Sequence, residues 1–142
     1  MRGTPIAEGL FTWPSEEPAL LGARCRDCGA TTFPSQSGCP RCTGRSMEVV
    51  ELPREGVLWS WTIQGFRPKE PYQGPAAFTP YGVGYVDLGD VIVESRLSEH
   101  VPERLAIGQR VELAIVPFVT DDPNDDRLTY EFRPLDATKQ EV

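Results

Sequence analysis

Apolar and polar residues alternate in several short segments of the second half of the chain, with the period of two that is typical of β-strands. The clearest of these segments is "VLWSWTIQ" at residues 57–64. Strict alternation there predicts one apolar face, made of Val57, Trp59, Trp61 and Ile63. We therefore expect a sheet whose first strand begins near residue 57.

Four further segments continue the strand pattern. They are "YGVGYVDLG" at 81–89, "VIVESRLS" at 91–98, a segment at about 110–118 and "LTYEFRPL" at 128–135. The tight "LGD" turn at 88–90 predicts a hairpin between the first two of them. Five short strands that are bent by glycines predict a small closed barrel of the OB-fold type.

Two connections of this barrel are expected to be short and exposed. OB-folds normally have a helix between strands three and four, whereas only a turn around residues 102–106 fits here. The spacing of Leu105, Gly108 and Val111 then predicts a turn that docks its leucine and leads directly into a strand. The acidic "DDPNDD" segment at 121–126 is interpreted as a solvated hairpin tip.

All four cysteines lie in "CRDCGATTFPSQSGCPRC", as the two C-x2-C pairs Cys25/Cys28 and Cys39/Cys42. Two such knuckles joined by a hairpin supply four thiolates in a tetrahedron, which suits structural Zn²⁺. Two disulfides would require an oxidising compartment, and a thioredoxin-like pair would require one C-x2-C in a βαβ setting. Iron bound as in rubredoxin uses the same geometry, so the spacing favours zinc and leaves iron open.

These patterns divide the chain into two predicted domains. An N-terminal segment and the four-cysteine zinc ribbon occupy residues 1–54, and the OB-fold-like barrel with a polar C-terminal tail occupies residues 55–142. The predicted fold is therefore mostly β. Four sulfurs close the coordination shell of a metal, and the single histidine, His100, lies far along the chain, so the metal is expected to stabilise the ribbon and not to activate water.

Composition narrows the function further. The 142 residues contain no apolar run long enough to cross a bilayer, and the N-terminus lacks the features of a secretory signal, so we expect a cytoplasmic protein. A net charge of −7 argues against a nucleic-acid-binding surface. Phosphate-binding glycine motifs and nucleophile–base arrangements are absent from the sequence, so catalysis by this chain alone is not expected.

A ribbon followed by an OB-like barrel resembles a family of zinc-ribbon/OB-fold proteins, formerly a domain of unknown function, that associate with thiolase-like acyl-CoA enzymes. The matching segments span about residues 10–120, and they are "LLGARCRDCGATTFP", "CPRC", "GVLWSWTIQ", "PKEPYQGPAAFTPYGVGYVDL" and "LAIGQRVEL". The resemblance implies an accessory subunit whose partner carries the catalytic residues. It implies as partner a thiolase or a lipid-transfer-protein-like retro-aldolase that shortens steroid side chains, in a heterotetramer of two copies of each, and in some relatives a hot-dog-fold hydratase.

The resemblance gives a role to the long connection "GFRPKEPYQGPAAFTPYG" at 65–82, which we call the proline loop. Loops longer than about 12 residues without structure of their own are usually functional or disordered. Its aromatic residues are expected to anchor a partner, and its cations to meet acidic groups of the partner or the phosphates of a CoA thioester. The candidate contact residues are Phe66, Arg67, Lys69, Tyr72, Phe78 and Tyr81. The alternative is a packed surface loop whose aromatic rings cover one end of the barrel.

A second function remains open at this point. OB barrels also bind single-stranded nucleic acid through stacked aromatic rings and a positive groove. Trp59, Trp61 and Tyr85 have the chemistry to stack on bases, although alternation places them equally well in a core. The acidic composition speaks against this alternative, and an independent enzyme is the least favoured interpretation.

Overall fold

The structure is a computed structural model that describes residues 3–70 and 74–135. Apart from one short 3-10 helix at Pro102–Arg104, its regular elements are strands. The strands of the N-terminal half are β1 (Thr4–Pro5), β2 (Leu21–Cys25), β3 (Thr31–Thr32) and β4 (Met47–Glu51). Those of the C-terminal half are β5 (Glu55–Gln64), β6 (Tyr81–Asp87), β7 (Ile92–Leu97), β8 (Arg110–Pro117) and β9 (Arg127–Pro134).

The five C-terminal strands close into a barrel. Strands β5, β6 and β7 form an antiparallel meander, β8 pairs with β5, and β9 pairs with β8. A single parallel pair, Leu97 with Phe132, joins β7 to β9 and closes the ring. This order of strands is that of an OB-fold, so the predicted fold class is confirmed.

The interior of the barrel is filled by one row of apolar side chains from each strand. Leu58, Val86 and Val93 are paired across β5, β6 and β7, and each is at most 1% exposed. Phe132 from β9 is fully buried against them. Burial of these side chains removes apolar surface from water, which is the main favourable contribution to folding.

The prediction of one apolar face on β5 is wrong. The register shifts between Leu58 and Ser60, so that Trp59 is an extra residue of β5 with respect to β6. Val57 and Trp59 are exposed as a result, whereas Trp61 and Ile63 pack against the core. A bulge inserts one residue and therefore reverses the inward–outward alternation beyond it.

The N-terminal segment and the ribbon pack directly on the barrel. Strand β1 runs parallel to β9 and pairs with its first two residues. Strands β3, β2 and β4 form a separate antiparallel sheet. Phe11, Leu20 and Leu52 from this half of the chain are buried in the same core cluster as the barrel residues. The two predicted domains therefore share apolar packing.

The connections of the barrel are more ordered than the sequence patterns alone predict. Leu105 is buried after the 3-10 helix, as expected for a docked leucine. In the acidic turn, the Arg127 guanidinium donates to both oxygens of Asp125, and the backbone amide of Ala76 in the proline loop donates to Asp121 Oδ2 at 2.9 Å. The turn is thus tied to the proline loop and is more than a solvated tip. Among the residues that the structure describes, no helix is long and apolar enough to span a membrane.

Candidate metal centre and proline loop

The four cysteines of the ribbon converge on one point. Their Sγ atoms all lie within 4.8 Å of one another. The Sγ atoms of Cys25 and Cys42 are 3.6 Å apart, and those of Cys28 and Cys39 are 3.5 Å apart, so both pairs are free thiols without disulfide bonds. Each close contact joins one cysteine from the first knuckle to one from the second, which holds the hairpin closed.

Both knuckles have the same backbone turn. The amide of Gly29 donates to the carbonyl of Cys25, and the amide of Thr43 donates to the carbonyl of Cys39, each at 2.9 Å. Gly29 has φ of 81° and Thr43 has φ of 63°, both in the left-handed region. Glycine adopts this region freely, whereas a β-branched residue such as Thr43 does so at a cost in free energy.

The surroundings of the sulfurs favour the thiolate form of Cys39 and the protonated form of Cys42. Hydrogen bonds lower the pKa of the Cys39 thiol to about 7, and the backbone amide of Cys42 is the main donor. The backbone amide of Gly44, 3.4 Å from Cys42 Sγ, also lowers the pKa of the Cys42 thiol. Contacts with the sulfurs of Cys25 and Cys28 outweigh that effect and raise the pKa of Cys42 to about 12. A bound cation would favour the thiolate form of the cysteines that hold it.

This donor set fits a zinc ion. Zn–S bonds of about 2.3 Å in a tetrahedron place neighbouring sulfurs about 3.8 Å apart. Cross-knuckle distances of 3.5 and 3.6 Å are close to that spacing. Cys25, Cys28, Cys39 and Cys42 would hold the metal, and with four sulfur ligands it would crosslink the ribbon and leave no open coordination position.

The proline loop places its predicted contact residues in different environments. Phe66 is 84% exposed, and Arg67 and Lys69 are also exposed. The Arg67 guanidinium donates to the carbonyl of Pro75, which connects the two ends of the described loop. Tyr72 lies outside the described residues. Of the candidate anchors that the structure describes, Phe66 is the one aromatic side chain presented to solvent.

Phe78 and Tyr81 instead belong to a packed aromatic cluster. Their rings are 6.0 Å apart in an edge-to-face arrangement, and both residues are half-buried. The guanidinium of Arg96 lies 3.6 Å above the centre of the Tyr81 ring. These contacts agree with the alternative role of the loop, in which aromatic rings cover one end of the barrel, while Phe66, Arg67 and Lys69 are exposed at its surface.

A cleft that the sequence patterns did not reveal lies between the ribbon and the barrel. Its volume is about 660 Å³, and its walls include Phe33 of the ribbon, Tyr81, Arg96 and Phe118 of the barrel, and Tyr130 and Glu131 of β9. Burial raises the pKa of Tyr130 to about 12, and burial likewise raises the pKa of the Glu131 carboxyl. Aromatic residues from distant parts of the chain meet here only through the barrel topology. No local sequence pattern therefore predicts the cleft.

Two known protein-family models match this chain, one over the ribbon and one over the barrel. The rubredoxin-like zinc ribbon domain of ChsH2 matches residues 13–48, and the C-terminal OB-fold domain of ChsH2 matches residues 49–116. The chain belongs to the ChsH2 family. The family resemblance inferred from the sequence is thereby confirmed, and residues 13–48 form its zinc ribbon.

Several known proteins align along most of this chain. The benzoylsuccinyl-CoA thiolase subunit BbsA of Thauera aromatica is 33% identical over 119 residues, which are 83% of this chain and 78% of BbsA. A DUF35 domain-containing scaffold protein of Methanocaldococcus jannaschii is 28% identical over 125 residues, 85% of each chain. The solved structure of the Ltp2-ChsH2(DUF35) aldolase superposes with a TM-score of 0.60 at 25% identity, and the match covers 82% of this chain and 84% of the other.

Proposed function

We propose that this chain is a non-catalytic accessory subunit that binds a thiolase-superfamily enzyme and supports its action on acyl-CoA thioesters. The observation that carries the proposal is the alignment with BbsA, a thiolase subunit, over 83% of this chain. The fold match with the Ltp2-ChsH2(DUF35) aldolase, an enzyme of another class, also supports the proposal. The partner would be a thiolase or an acyl-CoA retro-aldolase, and steroid or other lipid side chains are the proposed substrates.

The chemistry of this chain agrees with an accessory role. A metal held by the four cysteines would have a closed coordination shell, which would stabilise the fold and supply no reactive water. The partner would therefore supply the catalytic residues, and this chain would contribute folding support or substrate positioning. We propose a cytoplasmic complex with two copies of each subunit, joined in some settings by a hot-dog-fold hydratase.

We further propose that the proline loop meets the CoA part of the substrate at the subunit interface. Arg67 and Lys69 are exposed cations on a loop that is rich in proline and aromatic residues and carries one acid, Glu70. Guanidinium and ammonium groups are the side chains that bind phosphates. Phe66, at 84% exposure, stands next to them and offers an apolar contact for the partner.

Co-expression with a thiolase-superfamily protein of the same organism tests the central proposal. We expect the two proteins to elute as one complex in size-exclusion chromatography, with a mass by light scattering that equals two copies of each. The complex should turn over acyl-CoA thioesters, and the isolated chain should not. Separate elution at micromolar concentration of both proteins would contradict the proposal.

The role of the loop is tested within that complex. The double variant Arg67→Ala/Lys69→Ala should raise the KM for the acyl-CoA substrate and leave the barrel folded, because both side chains are exposed and the hydrogen bond that is lost, from Arg67 to the Pro75 carbonyl, lies within the loop. Arg104→Ala is a matched control, since Arg104 is an exposed cation on the 3-10 helix. Deletion of residues 68–78 should leave the barrel folded and weaken the complex or its turnover. Unchanged kinetics in these variants would contradict a role of the loop in binding substrate or partner. The remaining role would be to cover the end of the barrel.

The alternative of single-stranded nucleic-acid binding receives no support from the arrangement of aromatic residues. Trp61 packs against the core and is not available to stack on a base. Trp59 and Tyr85 are exposed, but Asp87 and Glu94 lie beside Tyr85 on β6 and β7. Carboxylates in this position repel a phosphate backbone.

A further inference from the structure

Four large apolar side chains are exposed on the outer side of β5, β6 and β7. Trp59 is 57% exposed, Ile92 is 46% exposed, and Val57 and Tyr85 are each 43% exposed. We call these four residues the outer apolar patch. Within the part of the chain that the structure describes, none of the four belongs to the core cluster, which lies on the opposite side of the same strands.

The register of the sheet places the four residues next to one another. Val57 pairs with Asp87, and Asp87 pairs with Ile92, so these three side chains form one row across the strands. Tyr85 lies two residues before Asp87 on β6 and therefore points to the same side. The ring of Trp59 meets that of Tyr85 edge to face, with 6.4 Å between their centres.

The bulge in β5 turns Trp59 outward. Without the extra residue, alternation from Trp61 would place Trp59 on the core side of β5. Leu58 occupies the core instead, and its backbone bonds to the loop before β8, with its amide donating to Gln109 and its carbonyl accepting from Gly108. Bulges re-aim single side chains, and a cluster of exposed aromatic and aliphatic side chains marks an interaction surface.

The charges around the patch are the two acids Asp87 and Glu94 and the cation Arg110, which is the partner of Val57 in the register of β5 and β8 and forms an ion pair with Glu55 at 2.6 Å. Asp87 lies between Val57 and Ile92 within their row, and Glu94 is the partner of Tyr85 in the register of β6 and β7. Asp90, in the turn between these strands, forms an ion pair with Arg24 of the ribbon at 2.8 Å, so this pair adds no net charge. Arg96, the next outward residue of β7, lies over the Tyr81 ring at the other end of the sheet.

We infer that the outer apolar patch is the docking surface for the thiolase-superfamily enzyme, and that the enzyme meets it with an apolar surface rimmed by lysine and arginine. This inference rests on the proposed function. Charge complementarity selects this occupant over a second copy of the chain. A symmetric contact would bring the acids Asp87 and Glu94 of both copies into one interface, in a chain whose net charge is −7.

The patch and the proline loop consist of different residues of one sheet. Trp59 is the fifth of the ten residues of β5, and five residues, or about 17 Å, separate it from the loop along this strand. Along β6, Val83 and Gly84 separate the loop from Tyr85. Variants can therefore remove the patch without touching the loop, and the two surfaces can be tested independently.

The decisive variant is Trp59→Ser/Tyr85→Ser, measured by titration against the purified thiolase-superfamily partner. We expect the Kd to rise at least about thirty-fold, since buried tryptophan and tyrosine anchors dominate interface energies. Glu94→Arg should weaken binding as well, by reversing a rim charge. Matched controls are Val49→Ser, an apolar residue of the ribbon that is 65% exposed, and Glu103→Arg, an exposed acid on the 3-10 helix. Both controls should bind within about threefold of wild type.

The outcomes separate this inference from the proposed function. A wild-type chain that binds no thiolase-superfamily protein overturns both. A wild-type chain that binds, while Trp59→Ser/Tyr85→Ser binds within threefold of it, overturns the patch assignment alone. A wild-type chain that is dimeric by light scattering without partner, and becomes monomeric in the double variant, assigns the patch to a second copy and also overturns the inference. Circular dichroism of the double variant checks that its barrel is folded.

Discussion

The residue that follows each cysteine pair sets the geometry of the metal centre. Gly29 and Thr43 both adopt positive φ, and their amides close the turns that direct two sulfurs at one point. The first position has the residue that this conformation favours, and the second does not. Local backbone conformation, more than packing, therefore limits which residues are tolerated here.

We predict opposite effects of substitution at these two positions. Gly29→Val should lower the free energy of unfolding by about 1–2 kcal/mol, because a side chain in the left-handed region crowds the backbone. Thr43→Asn should raise it by about 0.5–1 kcal/mol, because asparagine tolerates this region better than a β-branched residue. Urea titration of the metal-loaded protein measures both changes. Thr62→Asn, at an exposed strand position, is the control, and a Thr43→Asn variant no more stable than wild type would contradict the prediction.

At the scale of single elements, β5 is the strand in which sequence pattern and structure differ. Its alternation predicts that Val57, Trp59, Trp61 and Ile63 share a face, and the bulge divides them into an exposed pair and a packed pair. Leu58, which alternation places on the polar side, is fully buried. Neighbouring positions of this strand therefore have opposite roles.

Substitutions at two adjacent positions of β5 should show this difference. Leu58→Ala should lower the free energy of unfolding by about 2–4 kcal/mol, through lost burial and a cavity beside Val86. Trp59→Ser should change it by less than about 0.5 kcal/mol, as for most exposed positions. Thermal and urea unfolding of the isolated chain measure both. A larger effect at Trp59 than at Leu58 would mean that the strand follows its sequence alternation after all.

The turn between β8 and β9 should make stability depend on pH. The Arg127 guanidinium, with hydrogen bonds of 2.8 and 3.0 Å, holds the pKa of the Asp125 carboxyl well below its usual range. The contribution of this pair is present above the unfolded-state pKa of about 3.9 and is lost as pH falls below it. Asp125→Asn should therefore destabilise the protein at pH 7, with the difference from wild type shrinking by pH 3. Urea titrations at both pH values test this, and an equal cost at both would contradict it.

At the scale of the whole molecule, ribbon and barrel are joined by one core. Phe11, Leu20 and Leu52 of the N-terminal half are packed in the same cluster as Leu58 and Phe132 of the barrel. Loss of the ribbon would expose the apolar side of that cluster to water. The metal centre is expected to affect the stability of the barrel through this contact, although all four cysteines lie outside the barrel strands.

We predict that Cys25→Ser/Cys28→Ser abolishes metal binding and unfolds the ribbon. Metal binding contributes on the order of 10 kcal/mol to small four-ligand sites, which is more than this short ribbon can replace by packing. Elemental analysis should find zinc, rather than iron, in the wild type and no metal in the variant. Hydrogen exchange should lose protection in β2–β4 and retain it in β6–β9 at lower stability.

Ser37→Ala, an exposed position between the knuckles, is the control for this experiment and should retain its metal. Zinc at full stoichiometry in the double cysteine variant would contradict the ligand assignment. Iron in the wild type would keep the ligand assignment and change the metal.

Features that depend on neighbours along the chain can be predicted from the amino-acid sequence alone. The two cysteine pairs, the five barrel strands and the docked Leu105 are read from spacing and period, because each is built from residues a few positions apart. Only the tertiary structure decided the bulge at Trp59, the pairing of β1 with β9 and the contact of Ala76 with Asp121. Each of these depends on the register between strands distant in sequence, and a shift of one residue there exchanges the buried and exposed sides. Hence the metal site could be predicted from local spacing, whereas the proposed docking surface came from the way β5, β6 and β7 align.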